Sequence, residues 1–183
     1  MKNLIKLSAV AAMVIASPAF AAASDSDSFT VNANIATACV MENIQNVTLD
    51  PVNIDTNSGS GALLLASDTS NNSNKFWVSC NQNNQMTIAG SPVLQGSRAL
   101  QSGDDATFTD KLNYRVTAEN YYQTGTQPSF GSVAGATANQ GTTRGAIHRQ
   151  VQMKAEVRQA DNAGKRPLAG TYSGTVTVTV SAV

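Results

Sequence analysis

Cys39 and Cys80 are the only cysteines in a chain of 183 residues, and His148 is its only histidine. Two thiols and one imidazole could hold a metal, arm a nucleophile or form a covalent cross-link. A metal site would want His148 or a second cysteine pair beside the thiols, and neither is near in sequence. In an exported chain a single cysteine pair forms one structural disulfide. Closing a loop of about 40 residues would stabilise the fold by about 4 kcal/mol on the chain-entropy argument. A hydrolase triad would need His148 beside a serine and an aspartate. Yet His148 falls in the polar alternation Gln150, Gln152, Lys154, Glu156, which reads as the solvated face of a strand. No Gly-x-Ser-x-Gly elbow accompanies it. The adjacent carboxylates Asp104 and Asp105 follow Ser102-Gly103, a turn context, and sequence neighbours do not aim across a substrate. The glycines form neither a dinucleotide fingerprint nor a P-loop. The chain is therefore expected to be no enzyme and to need no cofactor and no metal.

Export is written at the N-terminus. Lys2 and Lys6 precede a small-to-apolar run from Leu7 to Ala16, and Ala19-Phe20-Ala21 supplies an A-x-A cleavage site. Residues 1–21 are expected to be a secretory signal peptide, with cleavage after Ala23 as the alternative. The run is too short for a membrane-spanning helix of about 20 residues. Removing Lys2 and Lys6 from the 12 basic residues leaves 10 against 12 acidic ones, a net charge of −2. That balance argues against a nucleic-acid partner, which would require a basic footprint. The remaining chain, about 160 residues, suits one domain with a real core.

The elements that must carry these residues read as strands. From 168 to 182, Leu168, Gly170, Tyr172, Gly174, Val176, Val178, Val180 and Ala182 share one face, and on the other every residue from Thr171 to Ser181 is Ser or Thr. This predicts one continuous strand with a single buried face. Over 147–158, Ile147, Val151, Met153, Ala155 and Val157 share a face with Arg149 as the polar intrusion. Shorter alternations occur at Phe76-Val78-Cys80, Met86-Ile88 and Leu112-Tyr114-Val116-Ala118. Trp77 lies three residues from Cys80 and so on the opposite face, pointing outward or at a subunit contact. Residues 53–74 and 121–145, rich in Asn, Ser, Gly, Thr and Gln, read as loops. Many short strands between turn clusters predict an all-β antiparallel sandwich.

The start of the mature chain is unusual. After Ser24-Asp25-Ser26-Asp27-Ser28, the residues Phe29, Val31, Ala33 and Ile35 alternate with Thr30, Asn32 and Asn34. Such a strand is either tied into its own sheet or lent to the open edge of a neighbour, and periodicity does not separate the two.

Ile35-Ala36-Thr37-Ala38-Cys39, Phe76-Trp77-Val78-Ser79-Cys80 and the terminal stretch from Ala169 to Val180 together resemble the spore coat protein U domain, the subunit fold of archaic chaperone–usher pili in Gram-negative bacteria. The resemblance implies an incomplete immunoglobulin-like β-sandwich lacking its seventh strand. Its groove would be filled first by a periplasmic chaperone, then in the fibre by the N-terminal strand of the next subunit, with an outer-membrane usher exporting the polymer to an extracellular pilus. On that pattern Phe29, Val31, Ala33 and Ile35 correspond to donor-strand plugs and Cys39 and Cys80 to the disulfide. Tyr172, Val176, Val178 and Val180 correspond to the edge of the acceptor groove. Residues 22–36 would be the donor extension and 37–183 the pilin domain, in a fibre serving adhesion or biofilm formation. The chain departs from the pattern by ending Val180-Ser181-Ala182-Val183 without an aromatic residue, and by its small plug Ala33. The alternative is a secreted binding module, an adhesin or carbohydrate-binding sandwich. About 160 residues leave no room for an added receptor domain.

Overall fold

The computed structural model describes residues 26–134 and 138–183. The expected signal peptide, residues 1–21, lies outside them. Residues 35–183 form one unit and the chain before Ile35 another. In order, the strands are β1 (Cys39–Met41), β2 (Thr69–Cys80), β3 (Asn84–Gly90) and β4 (Leu94–Gly96). There follow β5 (Phe108–Thr109), β6 (Lys111–Leu112), β7 (Arg115–Glu119), β8 (Ser129–Gly131) and β9 (Ala138–Gln140). The last are β10 (Ile147–Val157), β11 (Arg166–Pro167), β12 (Tyr172–Ser173) and β13 (Val176–Ala182). Only two 3₁₀ turns interrupt them among the described residues. The protein is an all-β sandwich, as the alternations predict.

One sheet runs β1-β2-β10-β7-β8 and faces a second of order β13-β3-β9, which β12-β4-β6 and the short β11-β5 pair accompany. Every pairing is antiparallel except β11 with β5. Period-2 parity delivers the core. Phe76 and Val78 of β2, Val151, Met153 and Val157 of β10, Val116 and Ala118 of β7, and Phe130 of β8 turn inward from the first sheet. Met86 and Ile88 of β3 meet them from the second. Strands β10 and β13, joined by the turn-rich stretch from Asp161 to Pro167, belong to different sheets.

Five expectations need correction. The terminal strand is not continuous: Tyr172–Ser173 pairs with β4, and Val176–Ala182 pairs with β3. The cause lies opposite. Between β3 and β4 runs Ser91-Pro92-Val93, and a proline has no N–H for a ladder. The Ser91 hydroxyl instead accepts the Thr175 amide, 3.0 Å away, so both strands break together. The stretch from Leu112 to Ala118 is likewise split, because side chains take its ladder bonds. Asn113 N–H donates to Asn162 Oδ1 at 2.8 Å and Tyr114 N–H to Ser132 Oγ at 2.9 Å.

The third correction is that residues 53–74 are not all loop. β2 begins at Thr69, and its polar half, Thr69 to Asn74, pairs with the apolar end of β10. A bulge absorbs one extra residue of β2 there, where Asn71 Oδ1 accepts the Ser73 amide and hydroxyl at 2.9 and 2.8 Å. Fourth, residues 121–145 contain β8 and β9 and contribute buried Tyr121, Tyr122 and Phe130 to the core. Burial pushes the Tyr121 phenol up to about 12, and its hydroxyl meets buried Asn84 Oδ1 at 2.5 Å. Glu156, assigned to the solvated face of its strand, is also buried, held by Lys154 at 3.0 Å and Arg158 at 2.6 Å.

Candidate assembly groove

β1 is the terminal strand of the first sheet and β13 of the second, and these two edges lie beside one another without pairing. β1 is bonded only to β2 and β13 only to β3, so each presents one row of unpaired backbone groups. Between them the core is incompletely covered. Val176, Val178 and Val180 pack on it from β13 but remain half-buried, while Thr177 and Thr179 face solvent. A further set of residues that cover the core was not foreseen in the sequence. Met41 and then Ile44, Val47, Leu49 and Val52 follow β1 along the same unit, each half-buried against the core. Their spacing of three, three, two and three residues fits neither a strand nor a helix, so no periodic pattern marks them.

Tyr172 is placed differently from the three valines. It sits on β12, with its ring against Gly96, where a Cβ would come within 3.1 Å of it. Its hydroxyl donates toward the Leu168 carbonyl at 2.9 Å and the Thr109 carbonyl at 3.0 Å. Burial raises its pKa. It supports the sandwich beyond the end of β13.

Cys39 and Cys80 are bridged. They are directly opposed in the β1–β2 ladder, with Cα atoms 4.2 Å apart. The bond therefore fastens a three-residue edge strand that has little ladder of its own. Just ahead of it, Asn81 holds the entering chain. Its Oδ1 accepts the Ala38 amide at 2.9 Å, and its Nδ2 donates to the Ala36 carbonyl at 2.8 Å.

Upstream, Phe29, Val31, Ala33 and Ile35 form no strand, contrary to the alternation. Phe29 is 88% exposed, Val31 80% and Ile35 82%. Four-residue alternation of this kind carries no intrinsic stability without a partner strand.

The chemistry set aside in the sequence fares as follows. Ser79 and His148 are indeed brought together, Oγ to Nδ1 at 2.7 Å, on exposed neighbouring strands. The imidazole stacks on Trp77 with ring centroids 4.7 Å apart, and Trp77 is 40% exposed on the outward face, as its parity requires. Among the described residues no carboxylate bonds this histidine, and Glu42 Oε2 is engaged by the Trp77 amide at 2.7 Å. Asp104 and Asp105 sit in turns, each held below the usual carboxylate range by a backbone amide, of Gln101 and Thr107 respectively. No group of three metal-ligating side chains occurs among the described residues, and no helix there is long and apolar enough to cross a membrane.

Two exposed edges flanking a half-covered core suit a protein completed by another chain. The sequence model of the Spore Coat Protein U domain matches residues 25–179. The chain belongs to this family. Spore coat protein U domains are structural, pilin-type units associated with the fimbrial subunits of chaperone–usher systems, which are extracellular. No curated protein matches the chain.

Proposed function

We propose that this chain is a structural subunit of an extracellular pilus, polymerising by donor-strand exchange. The observation that carries the reading is the pair of unpaired edges, β1 and β13, over a core that Val176, Val178, Val180 and Met41 leave half-covered. An extended segment laid between them would bond both backbone rows and bury those side chains. The occupant in the fibre is the segment Phe29–Ile35 of another copy, whose apolar side chains are free for it. Before assembly a strand of a periplasmic chaperone takes the same place, and an outer-membrane usher exchanges one for the other. Residues 1–21 are then the export signal, 22–36 the donor extension and 37–183 the pilin domain. Pilus function in adhesion or biofilm formation follows from the same reading.

The test is the ladder of heat-resistant oligomers that unboiled fibres give on a denaturing gel. Deleting residues 24–35 should leave a subunit that still binds its chaperone and gives no ladder. A full ladder from that deletion would refute the donor assignment.

A further inference from the structure

The chain that enters the sandwich ahead of β1 is held by one side chain. β2 ends at Cys80, and the chain then turns through Asn81, Gln82 and Asn83 into β3. An antiparallel ladder continued past the Cys39–Cys80 pair would set Ala38 opposite Asn81 and Ala36 opposite Asn83. The first of these pairs is only half made from backbone. The Asn81 amide donates to the Ala38 carbonyl at 3.1 Å. The Ala38 amide instead finds the side-chain Oδ1 of Asn81, at 2.9 Å, where a regular ladder would offer the backbone carbonyl. The second pair is replaced altogether. Asn83 has turned toward the second sheet, where its carbonyl accepts the Val183 amide at 2.9 Å. Asn81 Nδ2 donates to the Ala36 carbonyl in its place, at 2.8 Å. One carboxamide thus stands in for the end of a strand, its oxygen accepting and its nitrogen donating.

Ala36, Thr37 and Ala38 are themselves exposed, so no core packing holds them. On one side of them the disulfide fixes Cys39, and on the other Ile35 is the last apolar residue of the donor segment. In a fibre the neighbour holds the donor strand as far as Ile35, and the subunit's own sandwich holds the chain from Ala36 on. No free residue is left between the two.

We infer that Asn81 is a positioning residue for the subunit joint: by carrying the ladder of β1 out to Ala36, it makes the fibre stiff. This rests on the donor-strand reading and adds to it what limits bending between successive subunits. Without the carboxamide, rotation about the backbone of Ala36 and Thr37 is restored, and the joint becomes a short flexible tether. Losing both side-chain bonds should raise the fraction of released linker about tenfold or more.

The experiment uses fibres of the full chain. Asn81→Ala removes both side-chain bonds, whereas Asn81→Asp keeps the acceptor for Ala38 and loses the donor to Ala36. A Gly-Gly insertion between Ala36 and Thr37 sets the limit of a free tether without altering the sandwich. Persistence length is measured by electron microscopy. Cutting of the linker by elastase, which cleaves after small residues, is followed by intact mass. Asn81→Ala should give the same unboiled ladder as the unaltered chain, since both groove edges are kept. Its persistence length should fall to about half or less, toward that of the insertion, and its linker should be cut about tenfold faster. Asn81→Asp should fall between the two, and it decides in the same way should Asn81→Ala not assemble. Stiffness and cleavage equal to those of the unaltered chain would overturn the role of Asn81 while leaving donor-strand exchange intact. An insertion that leaves the fibres as stiff as before would do the same. An unaltered chain that gives no ladder would remove both.

Discussion

Val31→Asp tests the groove with a single side chain. In the free subunit Val31 is 80% exposed, so an aspartate there should leave the sandwich's own stability unchanged. In the fibre the same position would lie between the edges of β1 and β13, against Val178 or its neighbours. Losing the buried valine removes about 1.5–3 kcal/mol. Placing a carboxylate among half-covered apolar side chains adds about 2 kcal/mol or more, since no cation faces the groove from Val176, Val178, Val180, Met41, Ile44 or Val47. The two effects together come to about 3.5–5 kcal/mol, or roughly 2.5 to 3.5 powers of ten in the exchange equilibrium. The assay is the unboiled ladder, with chaperone-bound subunit measured in parallel. Val133→Asp is the control, because Val133 is also exposed, at 50%, but lies on the short turn after β8. The expected result is an intact chaperone complex and no ladder for Val31→Asp, with a normal ladder for Val133→Asp. Equal ladders from both variants would refute the placement of Val31 in a groove.

Further outcomes follow from the same geometry. Cys39→Ser opens a loop of 41 residues and frees a three-residue edge strand, so it should cost about 4 kcal/mol and lower the yield of assembled subunit; intact mass before and after reduction and alkylation reports the bond in the unaltered protein. The mature chain without residues 22–36 and without a chaperone should aggregate or unfold, and a monodisperse, cooperatively melting monomer by light scattering and calorimetry would contradict the open-groove reading. Asp161 is held below the usual carboxylate range by the Arg115 guanidinium, 2.6 Å away. Its folded pKa lies below its unfolded one, so its contribution is complete above about pH 4 and is lost as pH falls through the folded value. Asp161→Asn should therefore lower the melting temperature near neutrality and flatten its decline below pH 4.

The parity of the strands was legible, and most inward and outward faces followed from it, the buried Glu156 excepted. Phe76, Val78 and Cys80 face inward and Trp77 outward; Val176, Val178 and Val180 share the half-covered face; His148 stands outside. Partner choice was not legible. Thr69 to Asn74 has a loop's composition, yet it ladders with β10 because that strand's backbone needs a partner whatever the side chains are. The core contacts of Met41, Ile44, Val47, Leu49 and Val52 escaped notice for a related reason, since these residues follow the contour of a core and no regular period.

By itself the sequence determined the all-β class of the fold, through low charge and period-2 alternation, both of which are local properties of the chain. The disulfide between Cys39 and Cys80 was also expected from it, as the bridging of a single cysteine pair. Tertiary structure alone decided where the sandwich stays open. That depends on which strand lies at the edge of each sheet, and on β1 and β13 arriving at the same side, which no local pattern encodes. The breaks in the last strand and after Leu112 were decided there too, by a proline across the sheet and by side chains from distant turns taking the ladder bonds.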